Sequence, residues 1–183
     1  MKDRICMYPG TFGPITLGHE WIIAESLKIF DYVHVLIAEN KAKKPIFSMN
    51  ERLSMIESVT NKYGGKVEVV KSHDVYTVQA AKILKATHIV RGIRSGIDFD
   101  YERSVDLLNR DIHNALREDE SASHGVSTIY MTPPRHLAEV SSSMAMSLVG
   151  FKGWETVIKN YVSQPVFEAI KKAYDGGHLA NRP

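Results

Sequence analysis

The chain has 183 residues, of which 44% are hydrophobic and 24% charged, with a formal net charge of +2. That is the composition of an ordinary soluble protein with chain enough for one sizeable core, and a charge so close to balance gives no ground for a nucleic acid or a membrane as partner. A single cysteine, Cys6, rules out an intramolecular disulfide and a cysteine-based metal site.

The first element is the short apolar run RICMY (4–8), read as a strand with a buried, inert Cys6. The opening MKDRICMYPG lacks the long apolar stretch of a signal peptide and no run is long enough to span a bilayer, so a cytoplasmic location is expected. A crowded loop follows and leads into a helix in which Ile23, Leu27 and Phe30 share one face. Further strand-like runs are YVHVLIA (32–38), KVEVV (66–70), THIVRG (87–92) and VSTIYM (126–131). The helix SMNERLSMIESV opens with Ser48 and Glu51 at capping-box spacing, followed by Leu53, Ile56 and Val59. TVQAAKILKA (77–86) is a third helix. In DFDYERSVDLLNRDIHNAL the residues Tyr101, Val105, Leu108, Ile112 and Ala115 recur at helical spacing. REDESASHG (117–125) reads as a polar surface loop. From Ser141 onward the pattern is helical only, and the tail from Gly176 is expected to be disordered.

Strands alternating with helices predict an α/β fold: a Rossmann-like open parallel five-stranded sheet with helices on both faces and a helical C-terminal segment. No repeat, linker or composition shift divides it, so residues 1–183 are expected to form one domain. Its sheet core would be 1–140, its C-terminal helices 141–175 and its tail 176–183.

In such sheets ligands bind beyond the carboxyl ends of the strands. The first exit, YPGTFGPITLGHEWII (8–23), packs three glycines, two prolines and two threonines ahead of a helix start. Gly10 would let backbone approach a ligand, Thr11 offers a hydroxyl, and the helix beginning near Gly18 presents unpaired N–H groups and a positive dipole end to an anion. His19 sits in that first turn, where the dipole favours its neutral, N–H-donating form. No G-x-x-x-x-G-K-[ST] and no G-x-G-x-x-G follows the first strand, which argues against a P-loop and a dinucleotide site. Arg91 and Arg94 follow a buried-strand run and should emerge at its carboxyl end, because an arginine without partners is costly to bury.

The pattern T-L-G-H (16–19) resembles the [HT]-x-G-H signature of the nucleotidyltransferase superfamily, whose two polar residues meet ATP phosphates and the transition state. Together with KKPIF, the ER at 51–52, RGIR…DFDYE…NR and SSS at 141–143, the chain is similar to the bacterial phosphopantetheine adenylyltransferases over residues 4 to about 172. That family joins ATP to 4'-phosphopantetheine, giving dephospho-coenzyme A and pyrophosphate in the penultimate step of coenzyme A synthesis. The resemblance implies a catalytic set of His19, Lys43, Arg94 and Thr11. It implies ATP contacts from Thr11, Phe12, Gly18, His19, Gly92, Arg94, Glu102, Ser141, Ser142 and Ser143, and acceptor contacts from Thr11, Lys43 and Arg91. It further implies Mg²⁺ arriving with ATP rather than on protein ligands, coenzyme A as a feedback inhibitor, and a homohexamer.

Four positions depart from the family pattern: Gly13 where an aspartate is expected, Trp21 for an aspartate, Leu137 for an aromatic, and Met146 for a basic residue. Two further readings therefore stay open at this point. One is an adenylyltransferase for another phosphomonoester such as NMN, with Arg91 and the segment from His73 to Tyr76 meeting a different group. The other is a weakly active nucleotide or coenzyme A sensor.

Overall fold

The computed structural model describes residues 3–38, 45–72, 74–116 and 125–179. Five parallel strands form its centre: β1 Ile5–Gly10, β2 Tyr32–Ile37, β3 Val67–Lys71, β4 His88–Gly92 and β5 Ser127–Met131. They lie in the order β3-β2-β1-β4-β5, so the chain winds outward one way from β1 and then returns to wind the other way from β4. The expected doubly wound sheet is thus present, with its reversal of direction between β1 and β4.

Successive side chains point to opposite faces, and the sheet sorts its apolar residues accordingly. Met7, Leu36 and Ile89 meet Ala80, Ala81 and Ala86 around helix α3 (Thr77–Ile83). Cys6, Tyr8, Val33, Val35, Ile37 and Val90 face the larger cluster on the other side. There they meet Ile22 and Ile23 of α1 (Leu17–Ile29) and Met55, Ile56 and Val59 of α2 (Met49–Thr60). Helix α2 starts where the spacing predicts: the Glu51 carboxylate accepts the Ser48 N–H at 2.7 Å and the Ser48 hydroxyl accepts the Glu51 N–H.

The C-terminal helices α5 (Ser142–Ser147), α6 (Trp154–Val157) and α7 (Gln164–Asp175) join that same larger cluster through Ala145, Trp154, Val166, Phe167 and Ile170, with Ile158 of the turn after α6. They also hold the start of α1, since the Leu17 N–H donates to the Tyr161 carbonyl at 2.9 Å. Residues 176–179, expected to belong to a disordered tail, are instead held against the C-terminal helices. The Gly177 and His178 amides donate to the carbonyls of Tyr174 and Ala173, and Leu179 is buried in the core. Residues 180–183 lie outside the described residues.

Helix α4 (Gly96–Leu116) is the exception to the layered plan. Its one buried residue is Asp106, which accepts from the Thr128 hydroxyl of β5 and from Arg110. The apolar series read from the sequence does not face the core: Tyr101 is 61% and Leu108 57% exposed.

Candidate active site

The sheet opens where its winding reverses. Strand β1 pairs with β2 along its whole length, from Ile5 to Gly10, but with β4 only at Cys6–His88 and Met7–Ile89. Beyond Met7 the two strands part, and the crevice between their carboxyl ends widens into a cavity of about 780 Å³. The Arg91 guanidinium bridges the gap by donating to the Pro9 carbonyl at 2.8 Å. Every described residue of the expected catalytic and substrate-binding set lines this one cavity: Thr11, Phe12, Gly18 and His19 from the first exit, Arg91, Gly92 and Arg94 from β4 and its exit, Glu102 from α4, and Ser141, Ser142 and Ser143 from the start of α5. Lys43 lies outside the described residues, as does His73.

The first exit is shaped by side chains packed behind it. The Phe12 ring stands edge-on to both Tyr8 and His19, with centroids 5.4 and 5.1 Å away. A Cβ on Gly10 would come within 2.8 Å of that ring, so the bare backbone at Gly10 makes room for Phe12, an internal neighbour. Phe12 itself has a left-handed φ of 47° and is buried. The buried Arg52 of α2 donates to the Thr11 carbonyl at 2.7 Å, fixing the loop from outside it. Gly13 obeys no such demand. Its φ is not left-handed, and among the described residues an added Cβ would meet only Pro45, at 3.6 Å.

His19 occupies the third position of α1, and its Nδ1 accepts the Thr16 backbone N–H at 3.1 Å. Burial, with a smaller push from the Arg94 charge, lowers its pKa from the ordinary 6.5 to about 4, so at neutral pH the imidazole is uncharged. The Tyr8 phenol beneath it is pushed upward by burial and stays protonated.

Two carboxylates one helical turn apart on α4 hold the two arginines. Glu102 accepts from Nε and Nη2 of Arg91 at 2.5 and 2.6 Å. Asp98 accepts from Nε of Arg94 at 2.9 Å and from its backbone N–H at 3.3 Å. With its Pro9 contact, Arg91 keeps one N–H on each terminal nitrogen for a ligand. Arg94 is the more exposed and the less tightly held. Of the three serines, Ser141 caps α5 by accepting the Met144 N–H, and Ser142 donates to the Pro14 carbonyl. Only Ser143 shows no such engagement, and it is exposed. The neighbouring wall is apolar, formed by Leu137, Val140 and Met146.

Sequence reasoning carried Thr16 only as the first polar residue of T-L-G-H, and quoted Arg52 in ER and Asp98 in DFDYE without giving either a role in this site. Thr16 had a local signal in its three-residue spacing to His19, the separation of a capping box. Asp98 stands four residues after Arg94, an ordinary helical pairing distance. Arg52 reaches across 41 positions and leaves no local trace. Among the described residues no three histidine, cysteine or acidic side chains gather as a metal site, and no helix is long and apolar enough to cross a membrane.

A family profile described as cytidylyltransferase-like matches residues 7–147. A phosphopantetheine adenylyltransferase from Chromobacterium violaceum is 36% identical over 92% of this chain and 96% of its own length. One from Neisseria meningitidis is 37% identical over 91% and 92%. Among solved structures, a Plasmodium falciparum nicotinic acid mononucleotide adenylyltransferase superimposes with a TM-score of 0.62 over 99% of both chains, at 16% identity. At that identity the likeness speaks for the fold alone.

Proposed function

Because the chain belongs to the cytidylyltransferase-like family, and within it to the phosphopantetheine adenylyltransferases, we propose that it transfers the AMP moiety of ATP to 4'-phosphopantetheine, releasing pyrophosphate and dephospho-coenzyme A. The observation that carries this reading is the convergence of residues from four separate chain segments on one cavity at the carboxyl edge of the sheet.

The acceptor phosphate is anionic and nucleophilic at neutral pH, so no general base is required. One of its oxygens forms a bond to the α-phosphorus while the bond to the bridging oxygen breaks, and pyrophosphate leaves with that electron pair. The obstacle is repulsion between two anions brought in line, and fixed cations and N–H donors are the remedy. His19 presents a neutral N–H to the α-phosphate or the bridging oxygen, and Thr11 lends its hydroxyl between the two substrates. Arg91, anchored by Glu102, takes the acceptor phosphate, and Arg94 exchanges Asp98 for the ATP phosphates; a planar guanidinium suits both tasks. Lys43 belongs with them on the strength of the family pattern. Since the Ser141 and Ser142 hydroxyls are already engaged, contacts from this segment fall to Ser143 and to backbone N–H groups. Mg²⁺ brought in with ATP would be held mainly by phosphate oxygens rather than by side chains of this chain, and would help to neutralise the triphosphate. Coenzyme A, which contains the acceptor's own arm, competes for the same cavity. The exposed apolar stripe of α4 is where further copies of the chain would pack into the hexamer that the family pattern implies.

The test is pyrophosphate release from ATP and Mg²⁺ with 4'-phosphopantetheine, with NMN, or with no acceptor. Turnover is expected with the first alone. Turnover with NMN only, or nucleotide binding without turnover, would overturn the assignment.

A further inference from the structure

The His19 ring is not free to choose which nitrogen carries its proton. Its Nδ1 lies 3.1 Å from the backbone nitrogen of Thr16, a group that can only donate. The Thr16 hydroxyl stands 2.9 Å from the same Nδ1. Because the Thr16 amide obliges Nδ1 to accept, the hydroxyl meets the same nitrogen as a second donor. A proton on Nδ1 would set N–H against N–H on one side and displace the hydroxyl hydrogen on the other. Thr16 is 1% exposed, so no water is at hand to relieve the conflict.

We infer that Thr16 is a positioning residue: its amide and hydroxyl together hold His19 as the neutral Nε2–H tautomer, which turns the ring's single N–H away from α1 and toward the cavity. In the family pattern both polar residues of T-x-G-H meet ATP; here the first acts through the second. Its bearing on turnover rests on the adenylyl-transfer reading, whereas the tautomer itself does not. Among the described residues, the titratable groups facing the ring are the Arg94 guanidinium from the exit of β4 and the Tyr8 phenol from β1, with Glu20 next to it on its own helix. Arg94 disfavours a charged ring, and Thr16 adds a preference for which nitrogen is protonated.

The experiment uses the full chain labelled with ¹⁵N at histidine, with His19 assigned by its loss in His19→Gln. At pH 7.5 and without substrate, the wild type is expected to show an unprotonated Nδ1 and a protonated Nε2. Thr16→Val keeps the shape and the amide but removes the hydroxyl. It should raise the ring's titration point by about one pH unit, since a donor favouring the neutral form is lost. It should also lower kcat by ~10- to 100-fold with the KM for ATP within about two-fold, the size of effect reported for loss of a hydrogen-bonding partner behind a functional histidine. Thr16→Ser should recover kcat. A wild-type ring protonated on Nδ1 overturns the proposal, and so does a Thr16→Val protein with wild-type kcat and titration, even one that melts earlier, because that is the behaviour of a helix cap alone. If the valine variant does not fold, the wild-type spectrum decides. If no acceptor supports turnover, the adenylyl-transfer reading falls while the spectra still decide the role of Thr16.

Discussion

At the residue scale the decisive quantity is the charge state of His19. A pKa near 4 keeps the ring neutral throughout the physiological range, so kcat should show no inflection from this group between pH 5 and 8. His19→Ala should lower kcat by at least ~100-fold while ATP affinity, measured by calorimetry, changes little, because in the proposed mechanism the donor acts where charge builds up. The same shift has a consequence for folding. In the unfolded chain the ring titrates near 6.5 and in the folded one near 4, so between those values the unfolded state binds more protons and stability declines as the pH falls. Above pH 6.5 there is no such contribution. Wild-type Tm should therefore drop more steeply from pH 6.5 to 4 than that of His19→Gln; equal slopes would contradict the depressed pKa. Two glycines of the same loop should behave oppositely. Gly10→Ala forces a Cβ against Phe12 and should cost roughly 1–3 kcal/mol along with much of the activity. Among the described residues Gly13→Ala meets only Pro45, and it should leave the fold as stable or up to about 1 kcal/mol more so, read from denaturant midpoints.

At the scale of elements, the first two turns of α4 act as a rack for arginines. Glu102→Gln keeps the shape of the side chain but removes the charge that takes both Nε and Nη2 of Arg91. The expected result is a loss of about 2 kcal/mol, since a largely buried guanidinium would keep only weaker partners. The KM for the acceptor should rise more than the KM for ATP; a larger change for ATP would place Arg91 on the wrong substrate. This pairing marks the boundary of what the chain discloses as text. The Ser48–Glu51 cap, the alternation along β1 and β2, and the T-x-G-H turn are local patterns, and local patterns are legible because the physics that makes them acts within a few residues. The Arg91–Glu102 clamp joins a strand to a helix, and the Arg52 bond to the Thr11 carbonyl joins α2 to the first loop. Such contacts depend on how the elements pack, which no spacing encodes. Gly10 shows the same limit: the need for a bare Cα was legible, but the Phe12 ring packed against it was not.

At the scale of the whole molecule, the reading of α4 is the instructive one. Tyr101, Val105, Leu108, Ile112 and Ala115 recur as a helix that covers something, yet Tyr101 and Leu108 lie open, with Ile97, Leu107 and Leu116 exposed beside them. Periodicity reports that a face is to be buried and is silent on whether the partner is the same chain. Large apolar side chains in series on a single long helix are more than scattered surface residues and mark an association surface. The occupant proposed for it, on the family pattern, is further copies of this chain. Leu108 is the informative position because it lies outside the cavity lining and contributes little to the core it barely touches. Sedimentation velocity at micromolar concentration should find the wild type as a species several times the monomer mass. Leu108→Lys should shift it toward smaller species, since a charge placed in an apolar interface must be desolvated without a partner. Far-ultraviolet dichroism should stay unchanged, as expected for a substitution on an exposed helix face. A wild type that sediments as a monomer, or a lysine variant that assembles like its parent, would leave the stripe on α4 without the self-association assigned to it.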